Sequence, residues 1–424
     1  MSSFWRSVST LITGNLLAQG ISVIGLIVLA RLYLPDAYGV FGFFIASVAV
    51  MVVVVNGGYE MAVMLPREAE RAHQLVLLSW RIAIGLGTLL LIIFLLLGPS
   101  IIRWGKVEEM GLWYLMIPTS ILLEGLAQPL QMALNRQQQY RIMSISKVVR
   151  SVLTVGLSIA MGWYLSSFKG LIAGYVLGQL GFTLISYWGY RRSAQPIKIK
   201  DLWTVQSIAA KEFKDFPIYG ILSGWLYTAA KHLPFFFLPR FFDASVNGQF
   251  TKAERVLNLP PVLVSMPVGR VFYREATRIA QEDPPALAGL TKRTFWQLAG
   301  LGLPVLIVIM LWGPQIFSWV LGEVWTEAGE YARWLMPWLY LTFIASPLSY
   351  LIDIKRKLKA FLWYNIFQFA GRLLVLLYGG WYLSPLETMQ AFGAAGAFMV
   401  AIQISYLLWL GTQKETFKEI EHPK

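Results

Sequence analysis

The stretch RLYLPDAYGVF, from Arg31 to Phe41, recurs in the second half of the chain as RFFDASVNGQF, from Arg240 to Phe250. Both copies have an arginine, an aromatic residue two positions later, a glycine eight later and a phenylalanine ten later. The copies start 209 residues apart in a chain of 424, and long apolar runs flank both. A period this long predicts two homologous halves rather than a solenoid. Chance recurrence is the alternative, since aromatic residues and glycine are common in this chain.

The composition is that of a membrane protein, with 56% hydrophobic and only 14% charged residues. A helix of about 20 apolar residues crosses the membrane core, so the chain has room for about a dozen such helices. Stretches such as 48–55 and 86–97 are apolar on every face, whereas strands of a β-barrel would alternate. We therefore predict an all-α polytopic membrane protein with about 12 transmembrane helices, in two parallel six-helix repeats around a central cavity.

The net charge of +13 could indicate a nucleic-acid partner, but its distribution indicates a topological signal instead. With the N-terminus in the cytoplasm, about 22 Lys and Arg fall in inner connections and about four in outer ones. The first apolar run, 11–30, is too long for a signal-peptide core and should remain as the first helix. We predict a multi-pass protein of the cytoplasmic (inner) membrane with both termini in the cytoplasm and no nucleic-acid partner. The absence of cysteine excludes a disulfide framework and thiolate metal sites.

The domain boundaries follow from the apolar runs and from one long polar interval in mid-chain. We predict a six-helix bundle over 1–190, a cytoplasmic linker over 191–215, a second six-helix bundle over 216–411 and a cytoplasmic tail over 412–424. Because six is even, the second half starts on the same side as the first. Parallel repeats of this kind place a binding site between them near mid-membrane.

Two local patterns give more detailed expectations. Gly174 and Gly178 have the spacing of small residues in closely packed membrane helices. The eighth helix is predicted to run from Ala244 to Phe272 and to be followed by a prolonged inner loop over 273–293.

Motifs of common enzyme classes are missing. The chain has no glycine-rich loop ending in Gly-Lys-Ser/Thr and no nucleophile-elbow pattern. His73, His232 and His422 are far apart in sequence, which makes a metal site built on them improbable. We therefore predict a transporter that is not an enzyme and needs no cofactor.

Basic residues inside apolar segments are the main candidates for a substrate site: Lys147, Arg150, Lys231, Lys252, Arg255 and Arg372. A charge near the bilayer centre costs roughly 2.5–3.5 kcal/mol on insertion scales, so these side chains should face an aqueous cavity or a partner. The alternative is an interfacial residue whose charged end reaches water. Both interpretations stand for Lys147 and Arg150, whereas Lys231, Arg255 and Arg372 lie deeper and favour a cavity. A cationic cavity of this kind would bind an anion, and arginine pairs well with phosphate oxygens.

Polar and acidic residues complete the candidate site. Six are expected to line the cavity: Asn15, Gln19, Gln128, Tyr219, Tyr227 and Asn365. Five others are candidates for gating or ion coupling: Arg31, Glu60, Glu124, Arg240 and Asp353. Glu124 could be paired with a base or protonated. Aromatic residues near these faces could stack on sugar rings or serve as interfacial anchors.

Three stretches carry a family resemblance: LARLYLPDAYGVFGFF from Leu29, NGGYEMAVMLPRE from Asn56 and FTKAERVLNLPPVLVSMPVGRVFYREA from Phe250. They resemble the bacterial lipid-linked oligosaccharide flippases of the Wzx type, in the polysaccharide transporter branch of the multidrug/oligosaccharidyl-lipid/polysaccharide exporter superfamily. The residues that match the family pattern are Arg31, Tyr33, Gly39, Phe41, Tyr59, Glu60, Pro66, Arg255, Leu259, Pro260, Gly269 and Phe272. The motif marks fold and subfamily, not the sugar carried.

The resemblance implies two six-helix bundles that export undecaprenyl-diphosphate-linked oligosaccharides by alternating access, for O-antigen or other surface polysaccharides. Its implied partners are the lipid-linked oligosaccharide, the bilayer, a polysaccharide polymerase and a chain-length regulator, with a monomer as the functional unit. A multidrug cation antiporter of the same superfamily is the first alternative, although it should show more acidic than basic residues in its cavity. A polytopic glycan polymerase is the second, although it would need a larger outer loop. A membrane scaffold is the third and predicts no buried charges.

Overall fold

A computed structural model describes residues 2–66, 68–193, 221–283 and 285–413. Most of the predicted linker 191–215, the cavity candidate Tyr219 and the tail beyond residue 413 lie outside these ranges.

The described residues form α-helices joined by short connections, with no strand among them. The helices of the first part of the chain are α1 (Ser2–Leu32), α2 (Pro35–Val52), α3 (Tyr59–Ala62), α4 (Ala69–Trp104), α5 (Met116–Arg136), α6 (Tyr140–Leu165) and α7 (Phe168–Ser193). Those of the second part are α8 (Ile221–Phe241), α9 (Ala244–Leu257), α10 (Met266–Glu282), α11 (Ala286–Leu321), α12 (Thr326–Leu348), α13 (Tyr350–Ile354), α14 (Leu358–Tyr382) and α15 (Pro385–Thr412). The predicted all-α fold class is confirmed.

Ten helical segments of the described chain are long and apolar enough to cross a membrane. The two further spans that the sequence predicts correspond to α8, whose described part begins only at Ile221, and to the predicted eighth helix, which is broken in two. The chain is a multi-pass membrane protein.

The eighth predicted helix is interrupted by its prolines. A π-helical turn, Pro261–Ser265, separates α9 from α10. Pro260, Pro261 and Pro267 have no backbone N–H to donate, so a regular α-helical hydrogen-bond ladder cannot run through this segment.

The predicted inner loop 273–293 is wrong. Helix α10 continues to Glu282 and α11 begins at Ala286, so that only a short connection remains. The buried residues of α10 are Gly269, Phe272, Ala276 and Ala280, at helical spacing. Its many charged residues occupy the other face of this amphipathic helix, which is why the sequence resembles a polar loop.

The residues Met1–Gly248 form one compact unit. In it α6 packs between α1 and α7, α5 packs on α4 and α7, and α2 contacts α5, α7 and α8. The predicted glycine pair makes the α6–α7 contact possible. A Cβ atom on Gly174 would lie 2.7 Å from the Thr154 carbonyl oxygen, and one on Gly178 would lie 2.8 Å from that of Arg150. The close packing predicted from this spacing is confirmed.

The residues Gln249–Lys424 form the second compact unit. In its described part α12 packs against α10, α11 and α15, and α14 packs on α15. Helix α15 begins with a capping box: Glu387 N–H donates to Ser384 Oγ, and the Ser384 backbone N–H donates to the Glu387 carboxylate. Pro385 at the first helical position fits the same start signal.

The boundary between the compact units lies after Gly248, not in the linker at which we divide the two homologous halves. Helix α8 belongs to the first unit because it packs on α2, where Phe236 meets Phe43 edge to face with ring centroids 5.4 Å apart. Packing groups and sequence repeats are different properties, and the two halves with their predicted bounds stay a prediction.

The two copies of the repeated stretch contact each other at equivalent positions. A Cβ atom on Gly39 would lie 1.8 Å from the Ala244 carbonyl oxygen, and one on Gly248 would lie 1.8 Å from the Pro35 carbonyl oxygen. Each glycine is the ninth residue of its copy and each carbonyl belongs to the fifth. The contact is therefore reciprocal, as at a two-fold axis. Asn247 Nδ2 adds a hydrogen bond of 2.7 Å to the Gly39 carbonyl oxygen.

Candidate functional site: an arginine between three helices

Helix α5 carries a row of polar residues, Glu124, Gln128 and Gln131, and two of them make hydrogen bonds to neighbouring segments. Gln131 Nε2 donates to Ser186 Oγ at 2.7 Å and to Ser146 Oγ at 3.2 Å. The cavity candidate Gln128 is partly buried and accepts a hydrogen bond of 2.8 Å from Asn56 Nδ2. Gln128 and Gln131 therefore hold α5 against its neighbours. Glu124 is the charged residue of the same row.

Glu124 of α5 pairs with Arg150 of α6. Glu124 Oε1 lies 3.4 Å from Arg150 Nη1, and the side chains are 20% and 29% exposed, respectively. The guanidinium carbon also lies 5.3 Å from the ring centroid of Phe182 and 5.7 Å from that of Tyr175, both on α7. Three helices therefore converge on one arginine, and aromatic rings stabilise its cation.

Lys147 lies three residues before Arg150 on α6, about one turn away. Its Nζ donates to Asn15 Oδ1 of α1 at 3.0 Å. Ser22 and Ser151 add a second polar contact between the same helices, with their Oγ atoms 3.4 Å apart. Asn15 and Gln19, which we predicted to line a cavity, are both partly buried, and that role stays a prediction.

Sequence reasoning missed Gln179 of α7. Its side chain is fully buried, and neither amide atom has a hydrogen-bond partner among the described residues. It lies four residues after Tyr175 and three before Phe182, on the helix face that contacts Arg150. The spacing of Tyr175, Gln179 and Phe182 is the signal that could have revealed this helix face in the sequence. That the face contacts Arg150 is known only from the structure.

Two other candidate cations, both in the second unit, are enclosed by protein. Arg372 of α14 is 3% exposed, and its guanidinium carbon lies 4.5 Å from the ring centroid of Trp338. Lys252 of α9 is fully buried, with its Nζ 4.5 Å from the ring centroid of Trp325. Asn365 is buried on the same helix as Arg372. We expected each of these cations to face either an aqueous cavity or a protein partner. In the structure both have an aromatic ring as a partner.

Other candidates have less specific surroundings. Lys231, Arg240 and Arg255 are partly buried, and Tyr227 is 45% exposed. Arg31 and Asp353 are exposed. The structure brings Glu124 together with Arg150 and Asn15 with Lys147; the roles of all these residues in binding, gating or coupling stay predictions.

Glu60 of α3 is 9% exposed, and its Oε2 has no hydrogen-bond partner in the described ranges. Burial raises the pKa of its carboxyl above the ordinary value, and a bond to its own backbone N–H opposes this rise. Burial therefore disfavours the charged form of Glu60.

The family model described as "Polysaccharide biosynthesis protein" matches residues 28–330. The chain belongs to this family. The match includes both copies of the repeated stretch and the Glu124–Arg150 pair. No curated relative matches the chain by sequence.

Solved structures show the same fold as this member of the polysaccharide biosynthesis family. The lipid II flippase MurJ in an inward closed conformation superposes with a TM-score of 0.70 at 13% identity, covering 94% of this chain and 86% of that one. An outward-facing MATE multidrug transporter of the MOP superfamily gives 0.66 at 16% identity, covering 95% and 94%. A MOP-superfamily transporter from Pyrococcus furiosus, described as having a reversed polarity of its binding pocket, gives 0.62 at 14% identity, covering 97% and 95%. The resemblance to polysaccharide transporters is confirmed at the level of family and fold.

Proposed function

We propose that the protein is a flippase. It moves undecaprenyl-diphosphate-linked oligosaccharide repeat units from the inner to the outer leaflet of the cytoplasmic membrane, for O-antigen or another surface polysaccharide. The observation that carries the proposal is the match to a polysaccharide biosynthesis family on a fold shared with a lipid II flippase. Fold similarity alone does not determine function, so the proposal also needs a chemical argument.

Arg150 supplies that argument. A guanidinium presents parallel N–H donors that match phosphate oxygens, and the rings of Tyr175 and Phe182 hold it in place. Lys147, one turn away, adds a second cation. In the proposed mechanism these two groups bind the diphosphate, while the lipid tail stays in the bilayer. The other predicted cations, Lys231, Lys252, Arg255 and Arg372, stay candidates for substrate binding, although Lys252 and Arg372 are enclosed by protein.

The membrane potential could drive this export. A diphosphate carries about two negative charges, and moving each outward from a negative interior releases roughly 2.3 kcal/mol per 100 mV. This energy would bias alternating access towards export without a coupled ion.

The proposal includes a location and partners. The excess of Lys and Arg in the predicted inner connections supports an orientation with both termini in the cytoplasm. The lipid-linked substrate would be delivered to the inner leaflet, and a polymerase with its chain-length regulator would receive the product outside. A monomer provides both predicted bundles, so we propose a monomeric unit.

A vesicle assay tests the proposal. The full-length protein is reconstituted with a fluorescent undecaprenyl-diphosphate oligosaccharide, and transfer between leaflets is followed by access to an external quencher. We expect transfer by the wild type, and at least tenfold slower transfer by Arg150→Gln and by Lys147→Gln. Arg333→Gln, which breaks a pair with Glu330, is the matched control and should transfer at the wild-type rate.

A cationic multidrug substrate is tested in the same vesicles. Folded wild-type protein that exchanges an organic cation for protons and leaves the lipid-linked sugar in place would contradict the flippase proposal and support the alternative.

A further inference from the structure

We infer that Glu124 is an internal substitute for the substrate's phosphate. Its carboxylate occupies Arg150 when the protein is empty and gives up the guanidinium when a diphosphate binds. This inference rests on the proposed function and goes beyond it, because it assigns Glu124 a role in setting affinity for the anion.

The Glu124–Arg150 contact has the geometry of an exchangeable pair. Its distance of 3.4 Å exceeds the 2.7–2.9 Å that is usual for a hydrogen bond between a guanidinium and a carboxylate. Only one carboxylate oxygen takes part. The other, Glu124 Oε2, is buried and has no hydrogen-bond partner within the described part of the chain. A buried acceptor without a donor is unfavourable, so the carboxylate is not held in place by a complete set of bonds.

The position of Arg150 does not depend on Glu124 alone. Phe182 and Tyr175 contact the guanidinium from α7, and the close approach of Gly178 to the Arg150 backbone fixes α6 against α7. The Phe182 contact uses the face of the guanidinium rather than its N–H donors, and the Tyr175 hydroxyl is a further polar partner of Arg150 on α7. Arg150 can therefore change its anionic partner while its place between the helices stays the same.

A diphosphate is the better partner for this arginine. It can accept two parallel N–H bonds, whereas the carboxylate accepts one. It also carries more charge, and its second phosphate group could accept from Lys147, which donates to the neutral side-chain amide of Asn15. When no substrate is bound, the Glu124 carboxylate keeps Arg150 paired. This avoids an isolated charge in the membrane.

A binding measurement separates this role from a purely structural ion pair. The full-length chain is placed in lipid nanodiscs, and its affinity for a fluorescent short-chain polyprenyl diphosphate without sugar is measured for five proteins: wild type, Glu124→Gln, Arg150→Gln, the double variant and Glu330→Gln. The last is a matched control, since the Glu330–Arg333 pair has similar exposure, 34% and 27%, at 3.1 Å.

We expect Glu124→Gln to bind the probe roughly 1.5- to 5-fold more tightly than the wild type, the range that corresponds to releasing a partly exposed ion pair. Arg150→Gln should bind at least tenfold more weakly. The double variant should bind as weakly as Arg150→Gln, because Glu124 acts only through the arginine. Glu330→Gln should leave the affinity unchanged.

Two results would overturn the inference while the proposed function stands. One is wild-type binding with unchanged or weaker binding by Glu124→Gln, which would make Glu124 a structural partner; a lowered melting temperature would accompany it. The other is a gain in affinity that persists without Arg150. If neither the wild type nor Glu124→Gln binds the probe and no lipid-linked sugar crosses vesicles, the inference and the proposed function both fail.

Discussion

Two arginines of this chain show how differently a membrane protein can hold the same side chain. Arg150 faces a carboxylate and is partly exposed, whereas Arg372 is buried against the rings of Trp338 and Phe392. A charge inside the membrane requires a partner or water. The first arrangement suits exchange with an external anion and the second suits a permanent contact.

The ring contacts of Arg372 predict sensitivity to a change that keeps the charge. Arg372→Lys should lower the melting temperature, because a lysine lacks the planar guanidinium that packs on Trp338 and a desolvated cation–π contact is worth about 2 kcal/mol. The measurement is thermal unfolding in detergent. The control is Arg191→Lys, an exposed arginine 5.9 Å from the ring of Tyr187. Equal changes in the two variants would show that burial adds nothing to the contact.

Glu60 gives a prediction that depends on pH. Burial raises the pKa of its carboxyl in the folded state above the ordinary value of 4.5. As the pH falls towards 4.5, the folded protein therefore takes up this proton before the unfolded protein does. The charged form therefore opposes folding at neutral pH, and this penalty decreases as the pH falls. Glu60→Gln should raise the melting temperature at pH 7.5, and the difference should shrink towards pH 4.5. Exposed Glu70→Gln is the control and should show no such trend; a constant difference for Glu60→Gln would contradict the argument.

The contact between α6 and α7 links helix packing to the arginine site. Gly178→Ala would place a Cβ atom 2.1 Å from Thr154 Oγ1 and 2.8 Å from the Arg150 carbonyl oxygen. Separating the helices should cost about 1–3 kcal/mol and weaken binding of the polyprenyl diphosphate. Melting temperature and probe affinity are the measurements. Gly156→Ala on α6 has nothing within 4 Å and should change neither; equal behaviour of the two variants would mean that α6 and α7 do not need this proximity.

Local sequence patterns were sufficient for most elements but not for one. Long apolar runs predict the membrane helices, and the spacing of Gly174 and Gly178 predicts their close packing, because both properties depend on residues near in sequence. The segment around Pro260 and Pro261 is different. Prolines there divide one predicted helix. The charged segment after it resembles a loop in the sequence, but it is helical because Phe272 and Ala276 form a buried face.

The candidate site shows the same limit. Its charged residues stand out because they interrupt apolar runs, so Glu124, Lys147 and Arg150 could all be found in the sequence. Their partners could not, because Glu124 and Arg150 lie on different helices and meet only through tertiary packing. Gln179 looks like any polar residue until its burial is known.

At the scale of the molecule, the proposed orientation can be tested directly because the chain contains no cysteine. Leu112→Cys, 74% exposed between α4 and α5, should react with a membrane-impermeant maleimide in intact cells. Gln138→Cys, exposed between α5 and α6, should react only after the membrane is permeabilised. The expectation follows from the excess of basic residues in the predicted inner connections. The reverse pattern of labelling would invert the topology.

The reciprocal contact of Gly39 and Gly248 has a consequence for how a chain with two copies of this stretch can change. After a duplication, one copy of a segment is usually free to drift while the other keeps the original role. Here the backbone of each copy occupies the space that a side chain on the other copy's glycine would need. Neither glycine can therefore be replaced by a larger residue without displacing the backbone of the other copy. A chimera that takes one copy from another protein must therefore bring a glycine there, whatever else it exchanges.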